Sequence, residues 1–349
     1  MKVDKMRFGC MVEKGKIEVR ERPLPELGDY DVLIKQNTCN ICTTDYTQYL
    51  GFREHQGYPM VGGHEGAGTI LELGKGVTEY EAGDQVALAC ASCGICDFCK
   101  TGNEGRCKDG DLLNHFTWDG YKGSFGFSDY FVVPARRLIK INKNIPSAEA
   151  GFLEPLSTVV KGLKTLRIKS NETVVIIGAG TMGILNALTL KAFACNVILT
   201  EMMENKIAKA RAQGFEVIDI GKHDPVEEVM RLTNGKGADA VIVAVGNTKA
   251  NTQAVDMLKD AYGKILAFAA GYPEPKFEIS SNTIHYKRME ILGTWASDYI
   301  DFMEAAKLLN SGAVKVTSLL EEKQFTLDTM NEAYKEAATP GKYRVTVAL

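Results

Sequence analysis

TVVIIGAGTMGILNALTLKAFACNVILTE, residues 173–201, decides the fold. Its opening run, TVVII, is short, apolar and β-branched, the pattern of a strand buried on both faces. GAGTMG follows at once and sets Gly178, Gly180 and Gly183 in a G-x-G-x-x-G frame that opens the helical stretch TMGILNALTLKAFA. Strand, glycine turn and helix in that order form a dinucleotide site. The first glycine permits the tight turn, the second lets a pyrophosphate approach the backbone, and the third lets the helix pack on the strand. The backbone N–H groups of the helix N-terminus, around Ala179, Thr181 and Met182, then face the phosphates. The second strand, NVILTE, ends at Glu201, where a carboxylate can accept the adenosine ribose hydroxyls and repel a 2′-phosphate. Met202 and Met203 follow it instead of arginine, which favours NAD(H) over NADP(H). Lys206 and Arg211 leave the second cofactor open.

The same alternation continues through EVIDI, DPVEEVMRLTNG, ADAVIVAVG, NTQAVDMLKDA and GKILAFAA. Buried strands joined by helices predict a doubly wound parallel sheet over residues 151–285. Upstream, DVLIKQNTC, GAGTILELG, DQVALA, YFVVPA and RLIKI are short β-rich runs broken by glycine turns, which predict a mainly β domain over 1–150. The β texture returns over 286–349, with one helix (DYIDFMEAAKLLNSG) and a last strand, YRVTVAL. The expected class is therefore α/β, with a parallel-sheet domain inserted into a mainly β one. A chain of 349 residues is long enough to give each domain its own core.

A formal net charge of −3 provides no basic footprint for nucleic acid. No apolar run nears the roughly 18 residues of a membrane span, and the start, MKVDKMRFGCMVEKGKIEV, lacks the pattern of a signal peptide. The expectation is a cytosolic protein. In a reducing compartment, the Cys-x-x-Cys spacings among the nine cysteines point to metal binding or catalysis ahead of disulfides.

Five of the nine stand in CASCGICDFCKTGNEGRC, residues 90–107. Cys93, Cys96, Cys99 and Cys107 offer four thiolates, a closed shell that suits a structural zinc in a lobe spanning about 90–110. An iron–sulfur cluster is the alternative metal. Cys90 is then surplus, expected as a small buried side chain at the end of the strand DQVALA. A second set is dispersed: Cys42, His64, Glu65 and Glu154. One thiolate, one imidazole and carboxylates can hold zinc with a position left for water or substrate. Cys39 and Cys42 also form a Cys-x-x-Cys, for which a redox pair is a competing reading.

With these residues in place, the chain resembles the zinc-dependent medium-chain dehydrogenase/reductase family, and within it the polyol (sorbitol-type) dehydrogenases. The resemblance runs through C-x-T-D (Cys42–Asp45), GHE-x-x-G (Gly63–Gly68), GDQVA, the four-cysteine lobe, EPLS (Glu154–Ser157) and GAGTMG. It implies a GroES-like catalytic domain carrying an inserted Rossmann domain. It also implies a catalytic zinc on Cys42 and His64, with Glu65 and Glu154 completing the coordination directly or through water, and a second, structural zinc. Thr44 would pass the substrate proton outward and Asp45 would orient the ligand histidine. The implied reaction interconverts a secondary alcohol of a polyol or sugar, free or phosphorylated, with its ketone. Alcohol or threonine-type amino-alcohol oxidation and a non-catalytic NAD-sensing role are the alternatives. A homodimer or homotetramer is the family's implied assembly. Lys161 stands where the polyol enzymes usually carry histidine.

Overall fold

The computed structural model describes residues 3–89, 91–108 and 119–349. Cys90 lies outside the described residues. The chain divides into two compact units, residues 1–157, 297–312 and 316–349 in one, and 158–296 with 313–315 in the other.

The first unit is mainly β. β1 (Lys5–Glu13) and β2 (Lys16–Pro23) form an antiparallel hairpin. β3 (Asp31–Asn40), β4 (Glu65–Leu73), β5 (Gln85–Leu88), β6 (Tyr130–Pro134) and β7 (Leu138–Lys140) follow in this part of the chain. The second unit contributes β8 (Thr173–Ile177), β9 (Asn196–Glu201), β10 (Glu216–Asp219), β11 (Ala240–Val243), β12 (Lys264–Ala267) and β13 (Glu290–Gly293). β14 (Leu320–Thr326) and β15 (Arg344–Ala348) return to the first.

In the first unit one sheet runs β14-β15-β3-β4-β5-β7, with β6 also paired to β3. β3 is its hub, antiparallel to β4, β6 and β15. The register sets Asn40 opposite both Glu65 and Thr346. Along β15 the side chains alternate faces, so Arg344 and Thr346 share one and Val345 and Val347 the other. The two valines enter a cluster with Ile41, Tyr49, Phe127, Phe325 and Tyr334. Arg344 and Thr346, equally buried, therefore face a polar interior. Another core forms around Met6, Phe8, Val32, Ile34, Val86 and Phe131.

The second unit holds six parallel strands in the order β10-β9-β8-β11-β12-β13. That is the doubly wound order, with the reversal beside β8 where the glycine turn begins. Val174, Val175 and Ile176 of β8 have no exposure, as expected of a strand covered on both faces. β13 corrects the sequence reading. Residues 286–296 were expected to rejoin the mainly β domain, but β13 pairs in parallel with β12 as the sixth strand of this sheet. Its four residues are exposed or half-buried, so an edge strand of this kind lacks the apolar signature of its neighbours. The other junction falls after Ser157, inside the helix Leu153–Leu166, because a helix continues through a boundary that composition places before it. Among the described residues no helix is long and apolar enough to cross a membrane.

Gly183 shows how closely the glycine turn packs. A Cβ there would lie 1.9 Å from the carbonyl oxygen of Gly178. Gly183→Ala is expected to cost about 1–3 kcal/mol, the usual penalty for forcing a methyl into a filled space. Denaturant unfolding checks this, and an unchanged midpoint would show that the turn has room to give.

Candidate metal centre and dinucleotide turn

β3 ends at Asn40, and Ile41 is held to the sheet by donating its N–H to Val345 O at 2.9 Å. Cys42 comes next and caps the helix Thr43–Tyr49. Its own N–H donates to Asp45 Oδ2 at 2.9 Å. The other oxygen, Asp45 Oδ1, accepts from Gly63 N at 3.2 Å and lies 3.9 Å from His64 Nδ1. One buried carboxylate thus ties the start of this helix to the chain entering His64. Gly63 has φ +88°, and a Cβ on it would meet Phe127 N at 2.7 Å. The glycine before His64 is required by conformation and by space.

Cys42, His64 and Glu65 come together, each offering a ligand atom within 4.8 Å of the others. Glu65 is fully buried, and Arg344 takes both its oxygens: Nε donates to Oε2 at 2.8 Å and Nη2 to Oε1 at 2.6 Å. The same Nη2 lies 3.6 Å from Cys42 Sγ. The sheet register explains this meeting. With Thr346 opposite Asn40, stepping two residues along each antiparallel strand sets Arg344 level with Cys42. Arg344 is the functional residue that sequence reasoning missed. Its one signal was an arginine alternating with valines in a closing strand.

Glu154 stands in the first turn of the helix Leu153–Leu166 and has no hydrogen-bond partner for its carboxyl among the described residues. Burial pushes that carboxyl up to about 7, against the pull of His64 and with a further push from Glu65. Burial lowers the basicity of His64, but Asp45, Cys42 and Glu154 outweigh it and hold the imidazole well above its usual range. The pocket therefore carries more negative charge than Arg344 balances, which fits a cation among Cys42, His64 and a carboxylate. Thr44 Oγ1 is 3.9 Å from Cys42 Sγ, beside this group.

The redox alternative at Cys39 and Cys42 finds no support in the geometry. Both are free thiols, and Cys39 is packed in the apolar cluster with Val345 and Val347. Burial raises its thiol well above the ordinary range, which disfavours the reactive thiolate.

The lobe cysteines meet at Cys93, Cys96, Cys99 and Cys107. Sulfur separations are 3.5 Å for Cys96–Cys99, 3.8 Å for Cys96–Cys107 and 3.9 Å for Cys93–Cys99. A tetrahedron built on zinc–sulfur bonds of about 2.3 Å has edges of about 3.8 Å, whereas a multi-iron cluster would spread the sulfurs further. Cys93 N donates to Cys107 Sγ at 3.3 Å, and Cys96 N to Cys93 Sγ at the same distance. Such N–H donors offset thiolate charge.

In the second unit, Gly180 caps the helix Thr181–Ala192, so the N–H groups of that first turn have no intrahelical acceptor. Glu201 ends β9, nearly buried, and holds the turn together. Its Oε2 accepts from Ala179 N at 3.0 Å, and its Oε1 from Met202 N and Met203 N at 2.8 and 3.0 Å. Of the two cations that kept NADP open, Lys206 lies beside Gly180, its Nζ 3.8 Å from where a Cβ would stand. Arg211 is used structurally, donating to Val217 O at 2.9 Å.

An open thiolate–imidazole–carboxylate group in one unit and a phosphate-binding turn in the other define a metal-assisted oxidoreductase. The family models agree. That of the alcohol dehydrogenase GroES-like domain matches residues 28–143, and that of the zinc-binding dehydrogenases matches 172–311. The chain belongs to the zinc-dependent medium-chain dehydrogenase/reductase family, with polyol dehydrogenases among its relatives. A sorbitol dehydrogenase of Halalkalibacterium halodurans is 29% identical over 331 residues, 92% of each chain. An uncharacterized zinc-type alcohol dehydrogenase-like protein of Haemophilus influenzae is 28% identical over 320 residues, 91% of each. The crystal structure of benzyl alcohol dehydrogenase from Acinetobacter calcoaceticus shares the fold, with TM-score 0.87 and 23% identity over the whole of both chains.

The Arg344–Glu65 pair gives a stability test. Arg344→Met leaves a buried carboxylate alone and is expected to cost about 3–5 kcal/mol, whereas Arg344→Met with Glu65→Leu recovers most of the loss. Urea unfolding of the wild type and the two variants measures it. Equal losses in the single and double variants would show that packing, and not the pair, matters.

Proposed function

We propose that this protein is a zinc-dependent, NAD-linked dehydrogenase that interconverts a secondary alcohol of a polyol or sugar with the corresponding ketone. The observation that carries the reading is the unequal use of two glutamates. Arg344 occupies both oxygens of Glu65, whereas the Glu154 carboxyl has no hydrogen-bond partner among the described residues. Cys42, His64 and Glu154 are then the residues that would hold the catalytic zinc, with Glu65 held back as the partner of Arg344. When bound, zinc supplies Lewis acidity at the substrate oxygen, and the nicotinamide supplies the hydride acceptor.

The chain's own residues do the rest. Asp45 orients His64 and carries negative charge beside it, so the ring keeps one nitrogen turned outward as a ligand. Thr44 Oγ1, beside Cys42, takes the hydroxyl proton of the substrate and hands it outward. The turn at 178–183 receives the pyrophosphate. Glu201 keeps lone pairs beyond its three backbone bonds and sets a negative charge against a 2′-phosphate. The four lobe thiolates would hold a second zinc, closed to substrate. Support for a polyol comes from EPLS at Glu154–Ser157 and from the sorbitol dehydrogenase relative.

Two measurements test this. Purified protein is expected to carry two zinc ions per chain, and Cys42→Ser one, with turnover of every polyol or sugar alcohol lost and the thermal midpoint retained. Full activity in Cys42→Ser would end the proposal. kcat/KM with NAD is expected to exceed that with NADP, and the opposite ratio would reassign Lys206 as a phosphate ligand.

A further inference from the structure

A second network reaches the backbone of Glu154. Residues 104–106 form a short turn just before Cys107 in the lobe. Gly105 N donates to Asp298 Oδ1 at 3.0 Å, and Tyr299 N donates to Glu104 Oε2 at 3.3 Å. On the other flank of the lobe, Tyr299 OH donates to Arg136 O, and Arg136 Nε donates to Ser92 O beside Cys93. The lobe is thus fastened at both ends to the start of the helix Tyr299–Asn310. Asp298 caps that helix reciprocally with Asp301 and is 4% exposed, so its position is firmly set.

The residue before it, Ser297, is also 4% exposed, and its Oγ is 2.9 Å from Ser157 Oγ. Ser157 is fully buried, and its hydroxyl proton is shared between Glu154 O, 2.6 Å away, and Ser297 Oγ. Ser297 Oγ is therefore the acceptor that holds the Ser157 hydroxyl, and with it the start of that helix, to the corner at 297–298. A side-chain donor to the carbonyl three residues back bends a helix locally and so affects where its first turn points. That turn carries the Glu154 carboxyl.

We propose that Ser297 is a positioning residue for Glu154, acting through Ser157, and that Asp298 ties the same corner to the metal-filled lobe. The lobe then has a task besides its own stability: it holds the corner that aims the carboxylate. The inference rests on the reading of Glu154 as a metal ligand, but its structural part can be measured without metal at that site or any turnover.

The test combines hydrogen exchange with zinc binding in the full-length protein. Ser297→Ala is expected to speed exchange at 152–158 by about 2- to 10-fold, the worth of one hydrogen bond. It should also weaken zinc at the Cys42–His64 site by about tenfold, the low end for a residue behind a ligand, while the lobe zinc stays. Ser297→Thr, which keeps the hydroxyl, should behave as wild type in both. Cys96→Ser, which opens the lobe, should speed exchange at 297–303 and at 152–158, and adding Ser297→Ala should then change 152–158 little further. Wild-type exchange at 152–158 in Ser297→Ala, equal losses in Ser297→Ala and Ser297→Thr, or additive effects in the double variant would each overturn the proposal. Should Ser297→Ala not fold, Ser157→Ala removes the bond to Ser297 together with that to Glu154 O, and wild-type exchange at 152–158 in that variant overturns the proposal. Wild-type protein that binds no zinc at Cys42–His64 overturns the dehydrogenase reading instead, and the exchange results still decide this one.

Discussion

A guanidinium almost sealed from water holds the candidate centre in register. Arg344 is 5% exposed, bidentate on Glu65 and within 3.6 Å of the Cys42 sulfur. Charges taken this far from solvent cost several kcal/mol each unless they are paired with good geometry. That demand constrains three pieces of chain: β15, which brings the arginine; β4, which begins at the glutamate; and the end of β3, which leads to the cysteine. Any slip of β15 against β3 would turn Arg344 to the opposite face and strand Glu65. Asn40 and Thr346 guard that register from beside it, with Thr346 Oγ1 donating to Asn40 Oδ1 at 2.8 Å.

Against this fixed background the remaining groups divide their work by how each is held. Asp45 has a neighbour on both oxygens and is buried, so it serves as a brace. Glu154 is held through its backbone, by Ser157, and leaves its carboxyl unengaged. Glu201 does for the dinucleotide turn what Asp45 does for the metal group. Its carboxylate gathers N–H groups from the turn after β8 and from the loop after β9. In both units an acid with little exposure has its oxygens met by backbone N–H donors.

The lobe illustrates how conspicuous and central differ. Four cysteines within fifteen residues are the most visible feature of the sequence, and their sulfurs close on one another with no position left over. The open donor set, Cys42, His64 and Glu65, is drawn from two separate stretches of chain and has no local signature. Between the two run backbone N–H groups, two carboxylates and a pair of serines, Ser297 before one helix and Ser157 within another.

Sequence alone determined whatever depends on neighbours along the chain. TVVII, GAGTMG and NVILTE define a strand, a turn and a second strand because periodicity, glycine conformation and length act over a few residues. The lobe cysteines pair by the same short-range logic, and so does Cys42 beside Asp45. Only the tertiary structure decided matters set by pairing across the sheets. β13 is the edge of the parallel sheet because it bonds to β12, although its own residues are half-exposed. Arg344 belongs to the centre because β15 lies antiparallel to β3, which brings it to a glutamate 279 residues away. Hydrogen-bond register is long-range information, so the division of labour between Glu65 and Glu154 could be seen only once the strands were in place.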